Sequence, residues 1–503
     1  MKLIDRWLDR ITMYRLLLYF LIILLVVAFG LSLLGYLNYS PLGIVFSASL
    51  LVIVCAVTNA VFAYVYSAPT NIESAYITAL ILALIITPLR STHDLPFLVA
   101  AGGLAMATKY LLAINRKHVF NPAAIAVALL AIGTGQAASW WVGNQLLWPV
   151  VLVGGLLIMH KVRRTKMVLA FFGAAAGSTI VLALVRSASV ATTLEKTALH
   201  SSLLFLAFVM LTEPLTSPTT TSGQLWYAGL VGLLFPPQVH LGAVYSTPEL
   251  TLIVGNVFAY FTGPKLKLLP RLKQRLKLTP DTADFVFTPD RPIKFAAGQY
   301  MEWTLPHTGA DSRGNRRYFT LASSPTEPDL RIGVKFYSNG SSFKRALQTM
   351  TAATPISAGQ LGGSFTLPKD PQSKLVFIAG GIGVTPYRSM IKYLLDTGER
   401  RDVTLLYSER TADELVYRDV FSEAEKELGT HIVYTLTDNP PADWRGRTGL
   451  ITPELIKAEV PDYKDRLFYL SGPHTMVKAM EAALKDLGVA RRNIKTDFFP
   501  GYA

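Results

Sequence analysis

The sequence predicts a multi-domain protein, with a polytopic α-helical membrane domain followed by a β-rich domain and an α/β domain. Three observations carry this. Hydrophobic residues make up 51% of the 503 residues and charged residues only 16%, and the apolar residues crowd into the first half, where blocks of membrane-spanning length recur. A stretch around Arg317–Pro325 sits between short β-like runs, Gly298–Trp303 and Leu330–Lys335. Further on, Lys374–Pro386 reads as an apolar strand, a glycine turn and a helix with proline in its first turn, where proline is tolerated because that N–H has no helical partner.

Taken in order, the first block, Leu16–Leu37, has spanning length and is followed by more blocks rather than by a cleavage site and a polar mature region. Hydrophobic blocks fall near 14–36, 42–66, 74–88, 95–114, 121–134, 145–160, 167–186, 200–213, 224–236 and 239–262. Ten crossings in an inverted-repeat arrangement, with both termini on one side, are the expectation. Cations test the orientation. Lys2, Arg6, Arg10, Arg15, Lys109, Arg116, Lys117, Lys161, Arg163, Arg164 and Lys166 fall on the side of the termini, against Arg90, Arg186 and Lys196 on the other. The positive-inside rule then places both termini in the cytoplasm and the chain, as a multi-pass protein, in the inner membrane. The net charge of +14 is accounted for by these flanking cations, which argues against nucleic acid as a partner.

Two stretches of this half interrupt helices at corresponding positions: Lys109–Ala124, with Asn121-Pro122, and Met210–Gly223, with Glu213-Pro214, Thr216, Ser217 and Thr219. Broken helices in two related halves are where inverted-repeat membrane proteins bind ligands, and non-helical backbone at membrane depth survives only when buried or lining a cavity. The other reading is two ordinary loops. Cys55 is the single cysteine, in an apolar run. It reads as a small core residue and cannot by itself ligate an iron–sulfur cluster. His93, His118, His160, His200 and His240 lie near block ends and no two share a block, which argues against paired haem ligands. No metal site is expected.

A cationic stretch, Lys265–Lys277, reads as a linker able to lie on an anionic lipid surface, with each cation contributing about 1 kcal/mol. Beyond it, Arg317, Phe319 and Thr320 supply a cation, a flat aromatic and a hydroxyl from one strand. That trio suits a flavin: charge for a phosphate, a ring face for the isoalloxazine, and a hydrogen-bond partner for its redox nitrogen. In Lys374–Pro386 the glycines allow close backbone approach to a pyrophosphate, and the helix start offers free N–H groups.

Together with Phe468–Pro473 and the ending Thr496–Tyr502, these motifs resemble the ferredoxin–NADP reductase superfamily, over roughly Leu266 to Ala503. The resemblance implies a β-barrel FAD domain over 264–372 and an NAD(P)H-binding α/β domain over 373–503, after a transmembrane electron-transfer domain over 1–263. It implies that Arg317 binds the FAD phosphate, Phe319 packs on the flavin with Tyr318 beside it, and Thr320 bonds flavin N5. Ser341, Ser342 and Phe343 map to the pyrophosphate segment, Lys335 reaches the same phosphates or faces solvent, and Phe498 and Phe499 cover the flavin's other face. Gly380, Gly381, Gly383, Thr385 and Pro386 would cradle the NAD(P)H pyrophosphate, while Gly472 and Pro473 sit at the nicotinamide end. Ser471 stands where the family commonly has cysteine, and with Thr320 it is the expected catalytic pair. Ser408 and Arg410 would favour a 2′-phosphate and Glu409 oppose one, leaving NADH against NADPH open.

Phe120-Asn-Pro-Ala and Thr212-Glu-Pro-Leu-Thr-Ser-Pro resemble the membrane subunits of the Na⁺-translocating NADH:quinone oxidoreductase and of the Rnf complex, over roughly Ile72 to Phe261. That family carries flavin in the membrane, esterified to the threonine of Ser-Gly-Ala-Thr. This motif does not occur here, where the corresponding region reads Gly133-Thr-Gly-Gln-Ala-Ala-Ser139. The implied cofactor is therefore a second, non-covalent flavin, FMN or riboflavin, near Lys109, Asn121, Pro122, Thr216, Ser217 and Thr219. The resulting expectation is an NAD(P)H oxidoreductase passing electrons through FAD and this flavin to a quinone or an extracytoplasmic redox protein. A direct quinone reductase, a haem-containing ferric reductase, and a reductase on a passive membrane anchor are the alternatives.

Overall fold

The computed structural model describes residues 8, 11–66, 72–114, 117–263, 267–311, 314–338, 340–438 and 440–497. The chain divides into two compact units, the first closing at Lys267 and the second opening at Leu268.

The N-terminal unit is helical: α1 (Met13–Leu33), α2 (Pro41–Val65), α3 (Ile72–Ile85), α4 (Leu95–Leu111), α5 (Pro122–Thr134), α6 (Trp148–Val162), α7 (Thr165–Val185), α8 (Val190–Leu199), α9 (Leu203–Phe205), α10 (Thr221–Leu234) and α11 (Pro248–Thr262). Three of them, α1, α2 and α7, are long and apolar enough to cross a membrane. Their outward faces keep Val26, Ile53 and Leu184 more than half exposed, a surface suited to lipid rather than water. The shorter α3 has every residue from Ile77 to Ile85 buried, and α5 is buried from Pro122 to Ala128. A helix apolar on all sides belongs inside a bundle, and these two form its centre.

The helices depart from the hydrophobic blocks in three places. The last helix starts at Pro248 rather than near 239, because His240–Leu241 and Val244–Tyr245 pair as a small hairpin, β3–β4, and Thr247 caps the helix behind it. The block at 200–213 is not one regular helix, since α9 runs into a π-helical turn, Leu206–Met210, ahead of Pro214. The additional α8 is polar, capped by Ser189, and has no buried residue, so hydropathy could not mark it. Another hairpin, β1 (Ala113–Ile114) with β2 (Lys117–His118), separates α4 from α5.

In the second unit, much of the stretch read as a cationic linker is strand β5 (Arg271–Lys277), paired antiparallel with β6 (Thr282–Thr288). Only Leu272 and Leu276 of β5 are partly covered; the cations lie on an exposed edge strand, where charge discourages further pairing. Sheet order is β5–β6–β9 (Leu330–Lys335) in one ladder, and β10 (Ser357–Gly362)–β7 (Tyr300–Thr304)–β8 (Arg316–Thr320) in the other. The ladders join at two thin seams. Leu268, just before β5, exchanges backbone bonds of 2.7 and 3.0 Å with Ala358, and Ala322 N donates to Arg331 O at 2.7 Å just after β8. The two sheets thus close around a core holding Phe285, Phe287 and Trp303, all fully buried. Helix α12 (Ser342–Thr349) follows β9.

The remainder is a parallel sheet in the order β14 (Arg447–Thr448), β13 (His431–Leu436), β12 (Val403–Glu409), β11 (Leu375–Gly380), β15 (Leu467–Ser471), β16 (Ile494–Thr496). Helices α13 (Thr385–Thr397), α14 (Arg418–Leu428), α15 (Pro453–Glu459) and α16 (His474–Asp486) accompany it. Every residue of β11 is buried, as a central strand covered on both faces requires.

Candidate functional site

Strand order decides where this sheet can bind. From β11 the chain proceeds outward through β12 and β13, then returns to place β15 on the other side of β11. The reversal opens a crevice beyond the carboxyl ends of β11 and β15, the position where open α/β sheets bind ligands. The glycine turn, Gly381–Val384, lies at that end of β11, and Ser471-Gly472-Pro473 at that end of β15. The two turns approach so closely that side chains are excluded. A Cβ on Gly383 would lie 2.6 Å from Gly472 Cα and N, and one on Gly472 would lie 3.0 Å from Gly380 O. Gly381 adopts φ +58°, a left-handed conformation that favours glycine. Thr385 and Pro386 open α13, whose start points its N–H groups into the turn. Tyr387 fixes the spacing: its hydroxyl donates to Ile378 O at 3.1 Å and Tyr469 O at 2.7 Å, tying β11 to β15. The buried Ser471 hydroxyl donates to Asp497 Oδ2 at 3.1 Å.

Ser408 and Glu409 end β12 beside this crevice and Arg410 follows, with Ser408 in register with Gly380. Arg410 donates to Glu414 Oε1 at 2.7 Å. Lys335, on β9, is neither exposed nor unengaged: its ammonium meets Glu414 at 2.8 Å, Glu409 at 3.6 Å and Asp281 at 3.8 Å. Burial pushes the Glu409 carboxyl up to about 7, against the pull of Lys335 and with Glu414 adding to it. Glu414 is held low by its bonds to Arg410 and Lys335, which outweigh its burial.

On β8 the side chains alternate. Arg317 and Phe319 share a face with Phe343 of α12, the guanidinium 5.4 Å and the Phe319 ring 6.0 Å from the Phe343 ring centre. Tyr318 points the other way and donates to Glu302 Oε2 at 2.8 Å, so its hydroxyl does not join Phe319. Thr320 is buried beside the end of β7, opposite Tyr300. Ser341 caps α12 by accepting from Lys344 N at 3.3 Å. The next N–H, of Ser342, donates to the Asp311 carboxylate at 2.8 Å, and Ser342 Oγ accepts from Asp311 N at 2.9 Å. A carboxylate thus already sits where the sequence places a phosphate. Phe498 and Phe499 lie outside the described residues.

In the N-terminal unit the two helix breaks meet. Asn121 Nδ2 donates to Glu213 Oε2 at 2.7 Å, and Thr216 Oγ1 donates to the same oxygen at 3.0 Å. Asn256 on α11 completes the joint, accepting from Asn121 N at 2.8 Å and donating to Thr216 O at 3.1 Å. Ser217 Oγ donates to Glu213 O and accepts from Arg164. Thr216, Ser217 and Thr219 line a shallow surface groove with His118 and Tyr260. The other expected positions do not line it: Asn121 caps α5 by accepting from Ala124 N at 3.0 Å, Pro122 opens that helix, and Lys109 donates to Ser74. Asn256 and Arg164 were not among the sequence candidates, having no neighbour in the chain that marks them. Glu213→Ala leaves two buried donors without their acceptor, at about 1–3 kcal/mol each. Thermal unfolding in detergent is expected to show a larger loss for Glu213→Ala than for Glu213→Gln.

Comparison with known proteins fits this division. Residues 377–482 match the oxidoreductase NAD-binding domain family, and residues 142–261 match the NQR2, RnfD, RnfE family. Among curated relatives, the glycine betaine monooxygenase reductase subunit of Chromohalobacter salexigens is 28% identical over 41% of this chain and 57% of its own length. NADH-cytochrome b5 reductase 1 of Ajellomyces capsulatus is 26% identical over 44% of this chain and 75% of its own. The flavohemoprotein of Oceanobacillus iheyensis is 27% identical over 48% of this chain and 61% of its own. The chain therefore spans less than two thirds of the first and third of these. The oxidoreductase NAD-binding match thus follows the NQR2, RnfD, RnfE match in one chain, and the latter, with the apolar helices, points to a membrane protein.

Proposed function

We propose that this chain is a membrane-bound NAD(P)H oxidoreductase, drawing electrons from a cytoplasmic nicotinamide nucleotide through FAD and a second, non-covalent flavin to a quinone or an extracytoplasmic redox protein. In this reading residues 1–263 cross the inner membrane roughly ten times as an inverted repeat with both termini cytoplasmic, and lipid is its solvent. Residues 264–372 hold FAD and 373–503 the nucleotide. The observation that carries the reading is the convergence of Gly380, Gly383 and Gly472 at the crevice between β11 and β15, a backbone cradle that side chains would fill.

FAD, when bound, supplies the step from two-electron to one-electron chemistry. The chain's own residues supply placement. Gly380, Gly381 and Gly383 with the start of α13 take the nucleotide pyrophosphate, and Ser471-Gly472-Pro473 takes the nicotinamide end. Arg317 and Phe319 take the flavin's phosphate side and ring, with Phe343 as the floor beneath both. Thr320 holds the hydrogen bond at the flavin's redox nitrogen. At the α12 start a cofactor phosphate would take the place of the Asp311 carboxylate, to which the Ser342 N–H donates.

The ribose corner favours NADH. Asp281, Glu409 and Glu414 outnumber Lys335 and Arg410 there, and both cations are already engaged. A 2′-phosphate adds charge of the wrong sign. We expect kcat/KM for NADH to exceed that for NADPH by roughly tenfold or more, equivalent to about 1.4 kcal/mol. The ratio should grow from pH 6.5 to 8 as Glu409 ionises, and Glu414→Gln should narrow it by releasing Arg410 and Lys335.

The reading is tested by purifying the full chain in mild detergent, releasing its cofactors with acid and separating them by chromatography. FAD with a second free flavin supports it. FAD alone favours a direct quinone reductase or a passive membrane half, and haem overturns the cofactor assignment.

A further inference from the structure

We infer that Arg388 is a positioning residue for hydride transfer: with Ser389 it fixes the gap between the nucleotide cradle and the flavin face. The inference rests on the reductase reading above and adds to it a part that no motif marks.

Arg388 lies one turn into α13, directly behind the cradle residues Thr385 and Pro386, and is 4% exposed. It does not serve its own domain. Its Nη1 donates to Ala322 O at 2.7 Å and to Glu327 Oε2 at 2.6 Å, and its Nη2 to Glu327 Oε1 at 3.0 Å. The neighbouring Ser389, fully buried, donates to Ser323 O at 2.6 Å. Ala322 and Ser323 follow directly on β8, two and three residues past Thr320. Two consecutive residues of the cradle helix therefore grip two consecutive carbonyls of the segment that leaves the flavin strand.

The gripped segment is itself rigid. Glu327 Oε2 accepts from Ser324 N at 2.6 Å, closing the loop around the guanidinium, and Ser323 Oγ accepts from Arg331 N at 3.1 Å. A bidentate arginine–carboxylate pair fixes direction as well as distance, which a single lysine bond does not. A second tie backs it: Tyr417, held at φ +60°, donates to Asp284, which also accepts from Arg331 at 3.0 Å. The Arg388 guanidinium lies 5.7 Å from the Tyr417 ring centre, joining the two ties. Hydride transfer demands reacting atoms within a few tenths of an ångström of their working separation. A misplacement near 1 Å costs roughly a hundredfold in rate, so a brace between the two binding surfaces acts on the rate constant rather than on either affinity.

The test uses the full chain in detergent with NADH and 4-deuterated NADH. Bound FAD, the limiting rate of flavin reduction in single turnover, and the apparent Kd for NADH are measured for wild type, Arg388→Leu, Arg388→Lys, Glu327→Gln and Ser389→Ala. Visible circular dichroism of the bound flavin reports its setting independently of turnover. The expected result is retained FAD, an altered dichroic band, a limiting rate lowered by about tenfold or more in Arg388→Leu with partial recovery in Arg388→Lys, an NADH Kd within about twofold of wild type, and a larger deuterium isotope effect. Wild-type limiting rates in FAD-loaded variants overturn the inference, as does a rate that falls only in proportion to lost FAD. If Arg388→Leu does not fold, the same two criteria applied to Arg388→Lys and Ser389→Ala decide. A wild-type chain whose FAD NADH does not reduce overturns the reductase reading itself, a failure visible before any variant is made.

Discussion

Replacing Gly383 with valine is expected to abolish reduction of the bound flavin by NADH while leaving FAD in place. The new Cβ would stand 2.6 Å from Gly472 Cα and N, and those atoms are backbone at the end of β15, unable to swing aside as a flexible side chain does. Relief requires the β11 and β15 turns to part. The Tyr387 hydroxyl, bonded to carbonyls of both strands, opposes that motion. The substitution thus closes or deforms the crevice where the nucleotide pyrophosphate is placed. The atoms nearest the new Cβ belong to Gly472 and Ser471 rather than to the Arg317–Phe343 face, so FAD retention should match wild type. Single-turnover reduction by NADH should fall by at least about a hundredfold, the scale set by losing a near-attack geometry, while dithionite should bleach the variant's flavin as readily as the wild type's. Gly383→Ala carries the same Cβ and should behave similarly. Near-normal reduction by NADH in either variant would place the nucleotide elsewhere.

What made this cradle legible in the sequence is that its signals are local. Leu375–Gly380 is an unbroken apolar run of strand length, the glycines follow at once, and Pro386 sits where a helix begins. The helical half was legible for a similar reason, since spanning length and hydropathy are read over a single window. Elements whose character comes from distant partners were not. Strand β5 reads as a basic linker because its cations face outward, and only its partner β6 shows that it is a strand. Arg388 looks like any polar residue of an amphipathic helix; its carboxylate lies 61 positions upstream. Asp311 and Ser342 are 31 apart, so a helix start that reads as open to a phosphate is already met by a carboxylate. In the membrane half, Asn121-Pro122 is a helix-start signal as much as a ligand signal. The structure uses Asn121 as the cap and completes the polar joint of Glu213 and Thr216 with Asn256, a residue that no spacing rule connects to either break.

The second large effect concerns Arg317. Arg317→Ala is expected to empty the FAD site while the strand that carries it stays formed. Strand β8 is held by its ladder, with Arg317 opposite Trp303 and Tyr318 opposite Glu302, and backbone pairing does not depend on the guanidinium. The side chain's contribution is directional: it is 5% exposed, donates to Arg316 O at 2.6 Å, and lies over the Phe343 ring. A buried, pre-placed cation meeting a phosphate forms charge-assisted bonds of about 1.5–3 kcal/mol each. Losing two of them weakens binding by roughly two to four orders of magnitude, enough for the cofactor to be lost during purification. Arg317→Lys should fall between, because the charge remains but the planar fork that serves two oxygens does not. Flavin content per protein after gel filtration measures the loss, and the unfolding midpoint of FAD-stripped wild type and variant separates cofactor loss from misfolding. Equal midpoints with an empty variant fit a binding role. A variant that keeps its full FAD would remove Arg317 from the phosphate site and leave the α12 start as its sole anchor.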